Sequence, residues 1–152
     1  MKRPTRTERV AFKLERDALP TIGHRLSAVS SDDELTSLQL SDNERNGHLP
    51  QLIPELVHRL CVPCSLATKH ASEGAVKHGK TSYSQGYSIP MIIEETRILH
   101  VRIFNALQTN LNTVGSSLLL VEVMTIADEV DSQLKQTIVS FAASEPRIAA
   151  LA

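Results

Sequence analysis

The sequence predicts an all-α fold: a helical bundle built on about four core helices, with additional short helices at its N-terminal end. Apolar residues recur every three or four positions through two long segments, one after Ser88 and one after Gly115, which is the spacing of an amphipathic helix. No segment alternates apolar and polar residues between hairpin turns, so no strand is needed. A length of 152 residues suits one domain with one core. We therefore expect a single domain over residues 1–152, ordered from about residue 7 to residue 144.

The N-terminal third should contain short helices. An imperfect helical stripe runs through residues 7–29 and consists of Val10, Leu14, Leu19, Ile22 and Leu26. Pro20 must end, kink or restart this helix because its ring removes a hydrogen bond and clashes with the preceding turn, so two short helices and one bent helix are both possible. Residues 30–33 supply capping side chains, and Ser41 precedes Glu44 with the spacing of a capping box. We expect this middle region to be rich in loops.

Two further segments have helical periodicity. Residues 49–62 carry one apolar face, formed by Leu52, Ile53, Leu56, Val57, Leu60 and Cys61, and Pro63 should end that helix. Residues 64–81 carry a face of mostly small residues, namely Ala67, Ala71, Gly74, Ala75 and His78. Small side chains let a second helix approach closely, so this face is expected to pack against another helix.

The two longest helices are predicted in the C-terminal half. Ser88 is a candidate N-cap for the first, whose stripe is Ile89, Ile92, Thr96, Leu99, Ile103 and Leu107. After a break at residues 112–117, the second stripe comprises Leu120, Val123, Ala127, Val130, Leu134, Ile138 and Phe141, up to Glu145 and Pro146. The short connection favours antiparallel packing, with the two preceding segments completing a four-helix arrangement and the N-terminal pieces laid across it.

Composition narrows the possible partners. Sixteen basic and seventeen acidic residues leave no basic surface for a phosphate backbone, so we expect no nucleic acid partner. The longest apolar run, residues 118–121, is far too short to cross a bilayer, so we expect no membrane insertion and a cytoplasmic location. Only three Phe, two Tyr and no Trp are available to wall a haem pocket, and we expect no cofactor.

Cys61 and Cys64 are the main candidates for chemistry. Their spacing is that of a redox dithiol, although Cys61 ends a predicted helix, where the dipole would raise its thiol pKa. Together with His58 and His70 they could also supply four zinc ligands, but the spacing matches no known zinc finger. The simpler interpretation is that both cysteines are small core residues and that both histidines lie on the surface.

No signature of catalysis accompanies these residues. The chain has no glycine-rich phosphate loop, nucleophile elbow or zinc-protease helix, so no catalytic activity is expected. Glu94 and Glu95 are adjacent on a helix, point in different directions and are interpreted as a solvated edge. His78 lies on an inner face, where it could contact a ligand or respond to pH, although a structural hydrogen bond to a neighbouring group is favoured.

One stretch of the chain resembles a known family. The order of several short motifs is similar to that of the RsbRD-type N-terminal domain from about Leu19 to Phe141; these motifs are His78-Gly79, Gly86-Tyr87-Ser88-Ile89, Glu94-Glu95, Leu99 and Ile103. The family is the input module of RsbT co-antagonists and of many bacterial sensor histidine kinases. The resemblance implies an all-helical cytoplasmic sensory domain, typically within a homodimer, that passes a signal through its last helix to a kinase or anti-sigma-type output module.

The candidate residues for signal or ligand binding lie at the corner between two helices that carries these motifs. They are His78, Tyr87 and Glu95. None of the six histidines lies in a phosphoacceptor context, and no nucleotide-binding glycine boxes follow. We therefore expect an input module alone, either made separately or forming part of a longer signalling protein. The alternatives are a small metal- or thiol-dependent protein that uses Cys61 and Cys64, and a homodimeric helical interaction module.

Overall fold

The computed structural model describes residues 3, 5–62, 71–109 and 119–146 of the chain. Within these ranges it contains helices and no strand, which confirms the all-α prediction. The helices are α1 (Arg6–Arg16), α2 (Ala18–Val29), α3 (Asp33–Thr36), α4 (Asp42–Asn46), α5 (Leu49–Cys61), α6 (Glu73–Ser84), α7 (Ile89–Thr109) and α8 (Leu119–Ser144). None of the helices so described is both long enough and apolar enough to cross a bilayer.

The N-terminal stripe is divided between two helices. Helix α1 ends at Arg16 and α2 restarts at Ala18, which places Pro20 in the first turn, where its missing N–H costs no intrahelical bond. The restart shifts the helical register, so the buried face of α2 is Thr21, Arg25 and Val29. The prediction for Leu19 is therefore wrong, since this side chain is 81% exposed.

Short capped helices fill the region that the sequence predicts to be rich in loops. Ser41 and Glu44 form the predicted capping box at the start of α4. Asp32 caps α3 by accepting a hydrogen bond of 2.9 Å from the Leu35 amide. These caps satisfy amide groups that have no acceptor within so short a helix.

The apolar core is shared by α1, α5, α7 and α8. Its buried residues are Val10, Ala11, Leu14, Leu49, Ile53, Leu56, Leu60, Leu99, Ile103, Leu107, Ile126 and Val130. Helix α1 packs against α5 and α7, and α2 packs against α7. The N-terminal helices are thus part of the bundle and are not merely laid across it. A second cluster lies around Val29, Tyr87, Ile92 and Phe141.

Helices α6 and α8 cross at a very close contact. A Cβ atom on Gly79 would lie only 2.3 Å from the Thr137 carbonyl oxygen, so only glycine fits without displacing α8. Two hydroxyl groups of α8 donate to the α6 backbone: Thr137 to the Ala75 carbonyl at 3.2 Å and Ser140 to the Val76 carbonyl at 2.6 Å. The predicted small-residue face is confirmed for Gly74 and Ala75, which are buried.

The start of α6 differs from the prediction. The helix begins at Glu73 behind the N-cap Ser72, so Ala71 precedes it and is exposed, and Ala67 lies outside the described residues. The Ser72 hydroxyl accepts a hydrogen bond from the Ala75 amide, and a capping side chain of this kind fixes where a helix begins.

The long helices α7 and α8 pack against each other as neighbours. Ser88 caps α7 as predicted, accepting from the Met91 amide at 3.4 Å. Helix α8 ends at Ser144 as predicted, whereas Leu120 is 69% exposed. The buried face of α8 is largely polar, and its polar members are Glu122, Glu129, Gln133, Thr137 and Ser140. The pattern of apolar residues alone therefore does not identify the inner face of α8 correctly. The connection at residues 112–117 lies outside the described residues.

Candidate functional site

A buried ion pair lies between α2 and α7. The Nη2 of Arg25 donates to the Oε2 of Glu95 at 2.9 Å, and the two side chains are 1% and 2% exposed. The Nη1 of Arg25 donates to Asn46 at 2.8 Å. The interpretation of Glu95 as part of a solvated edge is therefore wrong. Glu94 does point to the surface, where it pairs with Arg97.

Tyr87 completes the coordination of the Glu95 carboxylate. Its hydroxyl donates to the Oε1 of Glu95 at 2.7 Å, and only 6% of the residue is exposed. Gly86 has φ +86°, a conformation that favours glycine, and this turn after α6 directs Tyr87 inward. Burial and the charge of Glu95 raise the pKa of Tyr87 above its ordinary value, so the hydroxyl remains protonated.

A second buried arginine lies beside the same carboxylate. The Nη2 of Arg45 donates to the carbonyl groups of Leu35 and Leu38 at 2.9 and 2.6 Å. Its Nη1 lies 3.8 Å from the Oε1 of Glu95. Burial lowers the pKa of Arg25 and the charge of Glu95 opposes this effect, but guanidinium groups stay protonated in proteins. One carboxylate therefore faces two cations.

His48 and His78 stack face to face beside this cluster, and we call them the histidine pair. Their ring centroids are 3.6 Å apart with an angle of 14° between the planes. Nδ1 of His78 lies 3.3 Å from the Ser82 hydroxyl, the structural contact that the sequence favours for His78. Burial and then the charge of Arg25 lower the pKa of His78 to about 4. Burial, His78 and Arg25 hold the pKa of His48 well below its usual range, so both rings are neutral near pH 7.

The histidine pair lines two spaces. One is a surface pocket of about 250 Å³, to which Gln51 and Lys77 also contribute. The other, which we call the inner cavity, has a volume of about 20 Å³ and is also lined by Arg25 and Glu95. The paired rings thus form a shared wall between a surface pocket and the buried charges.

Helix α8 closes the far side of the inner cavity. Val130, Gln133, Leu134 and Thr137 of α8 line it. Residues next to the site also reach α8: Gly79 follows His78 in the sequence and contacts the α8 backbone, and the ring of Tyr83 packs edge-on against Phe141 at 5.4 Å. The site therefore joins α2, α6 and α7 to the last helix.

The sequence-predicted signal residues are brought together only in part. Tyr87 and Glu95 bond directly, and His78 lies with Glu95 on the wall of the inner cavity. Arg25, Arg45 and His48 were not predicted. Their partners lie on distant parts of the chain, so local spacing carries no signal for them.

The predicted thiol and metal residues lie elsewhere. Cys61 is exposed, so its assignment to the inner face is wrong, because it is the last residue of α5 and extends past the packed part of the helix. His58 is exposed, as the simpler interpretation predicts, while Cys64 and His70 lie outside the described residues. Among the residues that the structure does describe, no three potential metal ligands cluster. The dithiol and zinc hypotheses stay predictions.

We call the group formed by Arg25, Arg45, Tyr87, Glu95 and the histidine pair the buried cluster. Its polar groups mostly satisfy one another, an arrangement suited to holding helices in fixed positions and to responding when one partner is disturbed. Comparisons with protein-family models, with curated proteins and with solved structures find no match to this chain. The function is therefore inferred from the geometry of the buried cluster and from the sequence motifs.

Proposed function

We propose that the chain is a non-catalytic sensory domain of a bacterial signal-transduction protein. It acts in the cytoplasm and passes its signal through α8 to a histidine kinase or an anti-sigma-type output module. One observation carries this proposal: His78 lines the surface pocket and the inner cavity, while the next residue, Gly79, lies against the backbone of α8. The resemblance to the RsbRD-type N-terminal domain supports the same function.

The relay begins at the surface pocket. A molecule or partner that occupies this pocket presses on the histidine pair and displaces α6. Gly79 leaves no free space at the crossing, and closely packed interiors transmit such displacements. Helix α8 then shifts between two packed positions, as helices do at interfaces in signalling proteins.

The proposed active form is a homodimer. The family resemblance implies it, and α8 offers exposed apolar side chains that a second copy can cover; these are Leu120, Val121, Met124 and Val139. Pairing through the output helix would couple the two copies directly. Sedimentation at several concentrations measures the association.

The test is a set of chimaeras in which residues 1–144 replace the input domain of a histidine kinase. The junction is varied one residue at a time over one heptad, so that every rotational phase of the connecting helix is sampled. In at least one phase, His78→Asn and Tyr87→Phe should change the rate of autophosphorylation by about fivefold or more, a typical size for coupling between sites.

Two further variants separate sensing from relay. Gly79→Ala should remove the response to His78→Asn, because it disturbs the α6–α8 contact. Arg97→Gln, on the exposed surface of α7, is the matched control and should leave the rate unchanged. The sensory function is wrong if substitutions in the buried cluster leave the autophosphorylation rate unchanged in the chimaeras of every phase, while circular dichroism shows that the variants remain folded.

A further inference from the structure

The buried cluster carries an excess positive charge. Arg25 and Arg45 are both cationic, and Glu95 is the acidic partner of both. The raised pKa of Tyr87 keeps its hydroxyl neutral, and the histidine pair is neutral near pH 7. Glu95 is also the only carboxylate among the residues that line the inner cavity. Two cations and one anion therefore leave this cluster with one positive charge in excess.

Arg25 also has a donor that the cluster does not use. Its two Nη groups donate to Asn46 and Glu95, but its Nε has no hydrogen-bond acceptor within the described part of the chain. The residue is 0% exposed, so solvent does not reach this group. A buried N–H without an acceptor is costly, and an acceptor beside Arg25 would remove that cost.

The inner cavity offers space for such an acceptor. Its volume of about 20 Å³ exceeds what one water-sized sphere requires. We infer that the inner cavity binds one small monovalent anion of halide size, such as chloride, with Arg25 as the main donor and imidazole N–H groups of the histidine pair as further donors. The ion lies in contact with α2, α6, α7 and α8, so its binding favours the packed arrangement of these helices.

An anion fits the site better than water does. Water would accept a hydrogen bond from Arg25 but would leave the excess positive charge of Arg25 and Arg45 over Glu95 unbalanced, and unbalanced buried charge is strongly unfavourable. The Glu95 carboxylate does not exclude an anion, because its Oε2 is bound by Arg25 and its Oε1 by the Tyr87 hydroxyl. Gluconate, a polyhydroxylated chain of six carbons, is much larger than this space.

The experiment measures unfolding by urea at constant ionic strength, with sodium gluconate replaced stepwise by sodium chloride or bromide. The folding equilibrium constant should rise in proportion to 1 + c/Kd, where c is the halide concentration and Kd is the dissociation constant of the halide. When the halide concentration is ten times Kd, the expected rise is about elevenfold. Gluconate alone should give no rise. A general salt effect would not follow this single-site curve, and it would stabilise the protein equally in halide and in gluconate.

A cavity-filling variant identifies the site. Val130 lines the inner cavity and makes no polar contact there, so Val130→Ile adds one methyl group to that space and leaves every polar group in place. It should abolish the halide dependence. Val139→Ile, on the exposed side of the same helix, is the matched control and should retain it.

Diffraction from crystals grown in sodium bromide gives a second measurement that does not depend on the variant. An anomalous peak in the inner cavity would support the inference. Density for a water molecule without an anomalous peak would overturn it, as would equal urea unfolding of the wild type in chloride and in gluconate.

Discussion

Arg25 and Glu95, seventy residues apart in the sequence, form an ion pair of 2.9 Å whose side chains are 1% and 2% exposed. A pair of this kind adds little net stability compared with apolar residues, but removing one partner leaves an uncompensated charge in the interior. The pair also fixes the position of α2 against α7. It is therefore the contact through which substitutions in the buried cluster should have their largest effects.

The substitution Glu95→Gln should destabilise the protein strongly. It preserves the shape of the side chain but leaves Arg25 and Arg45 without a counter-charge, so the free energy of unfolding should fall by about 3–5 kcal/mol. Glu94→Gln, one residue earlier, removes an exposed pair with Arg97 and should cost less than about 1 kcal/mol. Urea unfolding of the two variants compares them directly, and equal losses would contradict the burial of Glu95.

The chain contains two tyrosines, which form a second matched pair. Tyr87→Phe removes a hydroxyl that donates to the charged Glu95, so the free energy of unfolding should fall by about 1.5–3 kcal/mol. Tyr83→Phe should have little effect, because the contact of its ring with Phe141 remains. In ultraviolet titration of the folded Tyr83→Phe variant, which retains Tyr87 as its one tyrosine, the signal should appear above the ordinary pH range of a tyrosine, because burial and Glu95 raise the pKa of Tyr87. Ionisation of Tyr87 in the ordinary tyrosine range would refute the assignment.

The histidine pair should make stability depend on pH. The pKa of His78 falls from 6.5 in the unfolded chain to about 4 in the folded protein, so the unfolded chain binds protons first as the pH is lowered. The contribution of the neutral histidine to the free energy of unfolding is fully present above pH 6.5 and is lost as the pH falls towards 4. The loss amounts to at most about 1.4 kcal/mol per pH unit for each histidine.

The variant His78→Gln separates the contribution of this histidine to the pH dependence of stability from the contributions of the carboxylates. The difference in unfolding free energy between wild type and variant should shrink as the pH falls from 6.5 to 4. His24→Gln, exposed on α2, is the matched surface control. A constant difference for His78→Gln would show that the stacked ring titrates normally.

The thiol of Cys61 provides a test of the competing metal and dithiol hypotheses. The residue is exposed at the end of α5, so in a Cys64→Ser background it should react with a thiol reagent without prior unfolding. Under the sensory proposal, the modification leaves the melting temperature unchanged and the purified protein contains no stoichiometric zinc. One zinc per chain that is lost in Cys61→Ser would favour the metal hypothesis instead.

The helices could be predicted from the sequence because their signals are local. The capping box at Ser41 and the N-cap at Ser88 each depend on residues within one turn, and both form as predicted. The inner faces were harder to predict where they are polar. On α8 the buried positions include Gln133 and Thr137, whose contacts are made with other helices, so an apolar stripe placed the exposed Leu120 inside.

The candidate site was predictable only where the motifs mark it. Tyr87 and Glu95 lie on one short stretch, and the φ of +86° at Gly86 between α6 and α7 brings them together. Arg25 and His48 join them through tertiary contacts, and a charged residue on an amphipathic helix is ordinarily assigned to the surface. No pattern within α2 distinguishes a buried arginine from a solvated one.

Two glycines of the helices should respond in opposite directions to the same substitution. Gly79→Ala places a Cβ 2.3 Å from the Thr137 carbonyl and 2.8 Å from the Ser140 Cβ, so α6 and α8 must separate and the free energy of unfolding should fall by about 3 kcal/mol. Gly23→Ala meets no atom within 4 Å and lies inside α2, so it should raise the free energy of unfolding by about 0.5–1 kcal/mol. Urea unfolding measures both, and a neutral Gly79→Ala would mean that the two helices do not cross at Gly79.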